Sequence, residues 1–249
     1  MIHSKLILYI LFLSTPLLAF GQIGDHRSDF AVGVNGGYAL NNIGFVPKVT
    51  QGMHGGITGG LAYRYVCEKY FNTICSIYGE VNFSKIGWKE NIVDIDDRKV
   101  VNPTTGLTEE YSRTLTYVQV PVFAHLAWGK EDGGIQVFVN LGPQFGYFLN
   151  ESTESNFTKE NMNLPQRANQ QTAQYAMPAE NKFDYGIAVG GGVELSLRHV
   201  GHFLVDGRYY YGLGNIYGDS KRDYFQKSNH GMITVKLAYL FDLVKYCGQ

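Results

Sequence analysis

Residues 231–243 read Gly-Met-Ile-Thr-Val-Lys-Leu-Ala-Tyr-Leu-Phe-Asp-Leu and alternate strictly between two kinds of side chain. The odd-numbered residues from 233 onward carry large apolar side chains: Ile233, Val235, Leu237, Tyr239, Phe241 and Leu243. The even-numbered positions are smaller or polar and include Thr234, Lys236 and Asp242. A period of two is typical of a β-strand whose two faces meet different surroundings. The stretch therefore predicts a strand with one face against an apolar medium.

The same alternation recurs along the chain and predicts eight strands. They cover roughly residues 30–40, 55–66, 74–89, 112–128, 135–149, 183–198, 202–213 and 230–243. Their connections alternate between long and short, as in membrane barrels with tight turns at the periplasmic rim and long loops outside. Backbone amides must be paired in hydrocarbon, so such strands close into a barrel. The predicted fold class is all-β, an eight-stranded antiparallel transmembrane up-and-down β-barrel.

The N-terminus has the pattern of an export signal. Lys5 precedes an apolar stretch over 6–20, which is shorter than the ~20 residues of a spanning helix. The stretch ends at Ala19-Phe20-Gly21, a small-x-small cleavage site. This pattern predicts a cleaved signal peptide over 1–21, an outer-membrane β-barrel domain over 22–249 and a location in the cell outer membrane.

Composition limits the partners. Only 17% of the side chains are charged and the formal net charge is −1, whereas a surface that follows nucleic-acid phosphates needs clustered Lys and Arg. The composition therefore excludes nucleic acid, and outer-membrane lipid is the expected surrounding. The 33-residue connection over 150–182 is too long for a mere link. It is either a binding surface for a partner or a variable cover of the barrel mouth.

A soluble, lipocalin-like ligand-binding barrel is the main alternative fold, with the apolar faces turned inward. The polar faces favour the membrane barrel, because they are lined by glycine rather than by Lys and Glu, as a narrow interior requires. Aromatic residues also gather near the strand ends, where headgroups meet acyl chains. One predicted belt comprises Phe30, Tyr63, Tyr65, Trp128, Phe203, Tyr239 and Phe241, and the other comprises Tyr38, Trp88, Tyr147, Phe183, Tyr185, Tyr209 and Tyr211.

Charged residues are predicted on the inward face of the barrel. They carry both signs: Arg64, Glu80, His125, Glu194, Asp206, Arg208 and Lys236. Buried charges must be paired, and small barrels fill their interior with side chains. We expect a salt-bridged plug, with a narrow pore or ion path as the alternative.

Cysteine and histidine positions give two further expectations. Cys67 and Cys75 flank the first short turn and are predicted to form a hairpin disulfide, with Cys247 as an alternative partner of either. His54 and His230 fall near the outer rim, where a lipid-modifying enzyme would place a catalytic histidine. No Gly-x-Ser-x-Gly or His-Glu-x-x-His motif accompanies them. The sequence therefore predicts a non-enzymatic protein without catalytic, cofactor-binding or metal-binding residues.

Three motifs resemble a known family. They are Gly33-Val34-Asn35-Gly36-Gly37, Gly79-Glu80-Val81-Asn82-Phe83-Ser84-Lys85-Ile86-Gly87 and Tyr117-Val118-Gln119-Val120-Pro121-Val122. They are similar to the GxxGG, ELxYSxxG and YLEIPL patterns of the PorT-like outer-membrane β-barrel proteins of Bacteroidetes, although Gln119 replaces the usual Glu. The resemblance implies a porin-like fold and a role in an envelope assembly or secretion apparatus.

Overall fold

The computed structural model describes residues 25–218 and 223–245, and these form nine strands. The strands are β1 (Asp25–Val46), β2 (Gln51–Gly52), β3 (His54–Tyr70), β4 (Thr73–Glu90), β5 (Tyr111–Gly129), β6 (Gly134–Ser155), β7 (Phe183–Leu197), β8 (Gly201–Gly212) and β9 (Lys227–Val244). Short 3₁₀ turns occupy Leu164–Gln166 and Ala173–Tyr175. No helix in the described ranges is long and apolar enough to cross a membrane. The expected signal peptide and Cys247 lie outside the described residues.

The eight long strands close on themselves. Each is antiparallel to both of its neighbours in the order β1, β3, β4, β5, β6, β7, β8, β9. The last ladder joins β9 to β1 and runs from Phe30↔Val244 to Val46↔Lys227. The two-residue strand β2 adds only a short pairing to the end of β4. The predicted eight-stranded antiparallel barrel is confirmed.

An apolar band surrounds the barrel on its outer face. In each long strand the outward positions are apolar side chains or glycine over a continuous run, and inward positions are buried. We call these runs the membrane-facing segments: 30–40, 57–65, 75–83, 118–128, 135–149, 183–197, 203–213 and 233–243. In β9, Val235 and Leu237 are 58% and 64% exposed, whereas Thr234 is 4% exposed. The alternation therefore predicted the lipid side of the sheet correctly.

Connections differ between the two rims. One rim has the tight turns at 71–72, 130–133 and 198–200, and the other has the long loops 47–53, 91–110, 156–182 and 213–226. Several strands also run further toward the long-loop rim than the sequence predicts. β1 continues to Val46 and β6 to Ser155, where polar outward residues such as Asn42 and Asn150 end the apolar alternation.

Trp88 corrects the predicted outer aromatic belt. It is 0% exposed, and its ring packs against Phe45 inside the barrel with the ring centroids 5.4 Å apart. The reason is parity, because the even positions of β4 point inward and Trp88 follows Glu80 and Ile86 on that face. The other predicted belt residues lie on the outward face.

The structure does not contain the predicted hairpin disulfide. Cys67 and Cys75 are both free thiols. The register between β3 and β4 shifts between Val66 and Glu68, so the residue opposite Cys75 is Glu68. Cys67 is the extra residue of this irregularity and has no cross-strand partner in the ladder.

Candidate functional site

A four-charge cluster fills the middle of the barrel. Glu80 is fully buried and accepts hydrogen bonds from Arg208 Nη2 at 2.6 Å and from Lys236 Nζ at 2.6 Å. Tyr78 and Asn82, its neighbours on the same face of β4, also donate to its carboxylate. Arg208 donates in turn to Asp206 through Nε at 2.6 Å. The two carboxylates and two cations balance, which makes their burial tolerable.

Two glycines make room for these long cations. Gly37 lies opposite Lys236, and a Cβ at Gly37 would lie 2.8 Å from Lys236 Cγ. Gly190 lies opposite Arg208, and a Cβ there would lie 2.8 Å from Arg208 Cγ. A Cβ would lie even closer to a backbone carbonyl oxygen of the neighbouring strand, at 2.2 Å from Val235 and 2.5 Å from Gly207, so both the strand spacing and the cations require glycine here. The glycine-lined interior of the sequence prediction thus has a specific packing role.

A second cluster lies nearer the short-turn rim. Arg64 Nη1 donates to Glu194 Oε2 at 2.6 Å, and His202 lies between Glu194 and Asp242 at 2.6 and 3.1 Å. His125, fully buried, contacts Asn140 Oδ1 through Nδ1 at 2.8 Å. A 3.4 Å bond from Asn140 Nδ2 to Asp206 Oδ2 connects this cluster to the central one.

The remaining space inside the barrel is small. Beside the second and the central cluster the lumen has cavities of about 30 and 10 Å³, and one water needs roughly 10–15 Å³. A larger, open pocket of about 530 Å³ lies at the short-turn rim beside Ser196, His202 and Asp242. The residues predicted to face inward are all at most 8% exposed: Arg64, Glu80, His125, Glu194, Asp206, Arg208 and Lys236. The side chains therefore fill the membrane-facing part of the lumen and leave space for isolated waters.

An apolar core closes the barrel at the long-loop rim. We call residues 41–56, 84–117, 150–182 and 214–232, without 219–222, the external cap. Its core is almost fully buried and comprises Ile43, Phe45, Ile86, Trp88, Leu115, Ile216, Tyr217 and Phe225. Phe45 packs against Phe225 with ring centroids 4.9 Å apart, and the guanidinium of Arg113 lies 5.4 Å from the Trp88 ring centroid. The loops thus fold onto the strand ends and cover the mouth.

Hydrogen bonds fix the long connection of the cap in place. Arg167 donates to Glu109 at 2.6 and 2.9 Å, and to the hydroxyl of Tyr175 at 2.8 Å. Tyr175 donates to Glu90 at 2.5 Å, and Gln174 donates to the same carboxylate at 2.7 Å. Burial raises the pKa of Glu90, and burial together with the Glu90 carboxylate raises the pKa of Tyr175 well above its ordinary value. These hydrogen bonds hold the connection 156–182 in a defined conformation on the strand ends.

The two histidines of the enzymatic alternative have different neighbours. His54 Nε2 lies 3.1 Å from Thr114 Oγ1. His230 faces the interior, with Asn41 Nδ2 and the Tyr117 hydroxyl each 3.4 Å from its ring nitrogens. Within the described residues neither ring has a hydrogen bond to a serine or a carboxylate, and no group of three or more His, Cys, Asp and Glu side chains could hold a metal ion.

Comparison with known proteins assigns the chain to a family. The family model described as "Outer membrane protein beta-barrel domain" matches residues 20–218. The chain belongs to this family. As an outer membrane protein β-barrel, it is located in the outer membrane, with the apolar band toward lipid and the long loops outside.

Solved structures of other bacterial barrels are similar to this outer membrane protein. The attachment invasion locus protein Ail of Yersinia pestis is 14% identical, with 85% of this chain and 98% of that chain covered and a TM-score of 0.35. OprG of Pseudomonas aeruginosa is 12% identical, with 88% and 98% covered and a TM-score of 0.42. Neisserial surface protein A is 11% identical, with 85% and 97% covered and a TM-score of 0.40. A comparison with curated proteins found no match.

Sequence reasoning missed the cap of this outer membrane protein. Ile216, Tyr217 and Phe225 lie in a connection, where apolar residues show no regular period. Arg167 and Glu109 come from different loops, 58 residues apart. The available signal was the number of large apolar residues outside the predicted strands, because such residues need a core to pack in.

Proposed function

We propose that this outer membrane protein is a non-enzymatic, closed barrel that acts through its external cap as an interaction surface. The observation that carries the proposal is the combination of a filled lumen with an ordered cap. A barrel that leaves space only for isolated waters has no route for solutes, so its activity lies at its surface. The cap is the largest folded part outside the membrane-facing segments.

The buried charges argue against a narrow pore. Glu80 and Arg208 are 0% and 8% exposed and are bonded to each other at 2.6 and 2.9 Å. An ion that passes would have to displace a paired, desolvated cluster, which costs several kcal/mol. Above it, Phe45, Trp88 and Phe225 form a second, apolar barrier.

Two other functions receive less support. A lipocalin-like protein needs an enclosed ligand cavity of roughly 300–1,000 Å³ lined by apolar side chains. The cavities inside the lumen measure about 30 and 10 Å³, and the pocket of about 530 Å³ is open at the short-turn rim and lined by charged residues such as Asp132, His202 and Asp242. A lipid-modifying enzyme needs an activated nucleophile near the outer rim. His230 contacts Asn41 and Tyr117, and His54 contacts the Thr114 hydroxyl, but among the described residues neither ring has a hydrogen-bonded carboxylate to orient it as a base.

Two exposed positions make the cap suitable for recognition. Ile95 and Leu107 are 89% and 61% exposed, each in a turn fixed by its own hydrogen bonds. Asp94 accepts the backbone N–H groups of Asp96 and Arg98, and Asn102 accepts those of Thr104 and Thr105. Apolar side chains on a rigid frame lose little entropy on binding.

The finer assignment follows the resemblance to PorT-like proteins. We propose that the protein serves an envelope assembly or a secretion apparatus, with partners among envelope proteins. Two of the motif residues, Glu80 and Gln119, lie in the lumen, 0% and 3% exposed. The motifs therefore support the barrel, and the partner specificity resides in the loops.

Photo-crosslinking in intact cells tests the proposal. A photoreactive residue is placed at Ile95 or Leu107 in the cap, at Phe71 in a periplasmic turn, or at the lipid-facing control Leu141, 55% exposed. We expect a defined protein or glycan adduct from each cap position. Replacing the other, unlabelled cap residue by Asp (Ile95→Asp or Leu107→Asp) should abolish that adduct. Adducts from Phe71 alone would move the partner to the periplasmic side and contradict the role of the cap. No adduct at any position, together with measurable lipid turnover, would favour the enzyme.

A further inference from the structure

The 10 Å³ cavity lies in the middle of the lumen and is lined by polar side chains. The lining residues are nine-tenths or more buried and comprise Thr58, Asn82, Gln119, Gln144, Arg208, Tyr210, Met232, Thr234 and Lys236. They come from six different strands. Apolar cavities of this size stay dry, whereas polar ones hold ordered water.

Four buried polar atoms on this lining have no hydrogen-bond partner among the described residues. They are Asn82 Oδ1, Gln119 Nε2, Gln144 Nε2 and Thr234 Oγ1. A buried polar atom without a partner costs about 1–3 kcal/mol. Four such atoms around one small cavity therefore point to a ligand that all four share.

We propose that the cavity binds one water molecule, held by these four side chains. The donors and acceptors of the site match those of one water in number. The amide N–H groups of Gln119 and Gln144 donate to the two lone pairs of the water oxygen. The water donates its two hydrogens to Asn82 Oδ1 and Thr234 Oγ1. The volume admits one such molecule.

The charges on the lining argue for a neutral ligand. Arg208 and Lys236 are both bonded to Glu80, and Arg208 also to Asp206, so the two cations are already neutralised. An anion would face these two carboxylates, and a cation would face the amide donors and the two buried cations. Water meets neither repulsion.

The bound water lies between two parts of the interior. On one side Asn82 donates to Glu80 in the central cluster. On the other side Tyr210, which also lines the cavity, donates to Asp184 at 2.7 Å near the long-loop rim. The water, bonded to Asn82, Gln119, Gln144 and Thr234, thus extends the hydrogen bonds of the central cluster toward Tyr210, and it is a fixed component rather than a passing molecule.

Water-to-protein cross-relaxation in the NMR spectrum of the folded protein in lipid nanodiscs tests the site directly. We expect cross-peaks between a long-lived water and the side-chain amide protons of Gln119 and Gln144. The internal control is the side-chain amide of Asn229, which is buried and donates to the Gly212 carbonyl outside this cavity. Absence of the cross-peaks from both glutamines overturns the proposal.

The stability of Thr234 variants distinguishes a hydroxyl that binds the water from a hydroxyl without a partner, because the urea midpoint is expected to change differently in the two cases. If the hydroxyl binds the water, Thr234→Val lowers the urea midpoint of unfolding and weakens the glutamine cross-peaks, while Thr234→Ser retains both. If the hydroxyl has no partner, the nearly isosteric Val leaves the midpoint unchanged or raises it, because a desolvated polar group is removed. An unchanged or raised midpoint therefore contradicts the site.

Discussion

Replacement of Glu80 by Gln should strongly destabilise the barrel. The carboxylate is 0% exposed and is bonded to Arg208 and Lys236 at 2.6–2.9 Å. The change takes the central cluster from balance to one excess positive charge, with Asp206 as the remaining anion. Removal of one partner of a buried ion pair costs about 3–5 kcal/mol, a large part of a typical stability of about 5–15 kcal/mol.

The assay is urea unfolding of protein folded in lipid vesicles, followed by the shift in gel mobility between unheated and boiled samples. The matched control is Glu110→Gln, which breaks the exposed Lys89–Glu110 pair and should cost about 0–1 kcal/mol. The double variant Glu80→Gln with Lys236→Met restores the charge balance and should recover much of the loss. Equal midpoints for Glu80→Gln and Glu110→Gln would refute the charge-balance reasoning.

Three further predictions concern the lipid face and the cap. Leu237→Arg should cost about 2–4 kcal/mol at mid-membrane, whereas Leu243→Arg near the rim should cost about 0–1 kcal/mol; equal urea midpoints would contradict the depths assigned to the two positions. Glu109→Gln removes the negative charge that pairs with Arg167 and one of the two acceptor oxygens. It should speed proteolysis of loop 156–182 without changing the barrel's midpoint; an unchanged cleavage rate would contradict the network. Tyr175 has a raised pKa, so its stabilising effect is complete below pH ~10 and is lost only as the pH rises further. When tyrosine ionisation is followed by absorbance at 295 nm, Tyr175→Phe should lack one step at high pH. Loss of an ordinary step near pH 10 instead would refute the burial of Tyr175.

The barrel was predictable because its lipid and interior faces impose a period of two on the chain. In β9 the membrane requires apolar side chains at Val235 and Leu237, and the lumen requires Thr234 and Lys236. Parity also fixes which charges face inward, so it places Glu80, Arg208 and Lys236 in one interior from separate strands. What parity leaves undetermined is their pairing, which depends on the register between strands.

Trp88 and the Cys67–Cys75 hairpin show where this reasoning differs from the structure. Trp88 was assigned to the lipid face from its residue type and its place near a strand end, although its even position in β4 requires the interior. Cys67 and Cys75 were paired under a regular hairpin register, and the irregularity between Val66 and Glu68 displaces one of them. A bulge of one residue leaves no clear mark in the sequence.

The cap was beyond prediction for a different reason. Its contacts join loops that are distant in the chain, such as Arg167 with Glu109 and Asn169 with Lys48. Such contacts depend on where the barrel places each strand end, and no local period encodes them. The partner surface of the protein is therefore the part that the sequence pattern describes least.

Single-channel recording in planar lipid bilayers tests the central claim, that the lumen is closed and the protein acts from its surface. Purified protein is first shown by its heat-dependent gel shift to be folded. The account predicts no stepwise conductance for the wild type, because the paired charges and the apolar core of the cap both block the path. Regular openings carried by the folded wild-type protein would contradict it and make the pore the leading function.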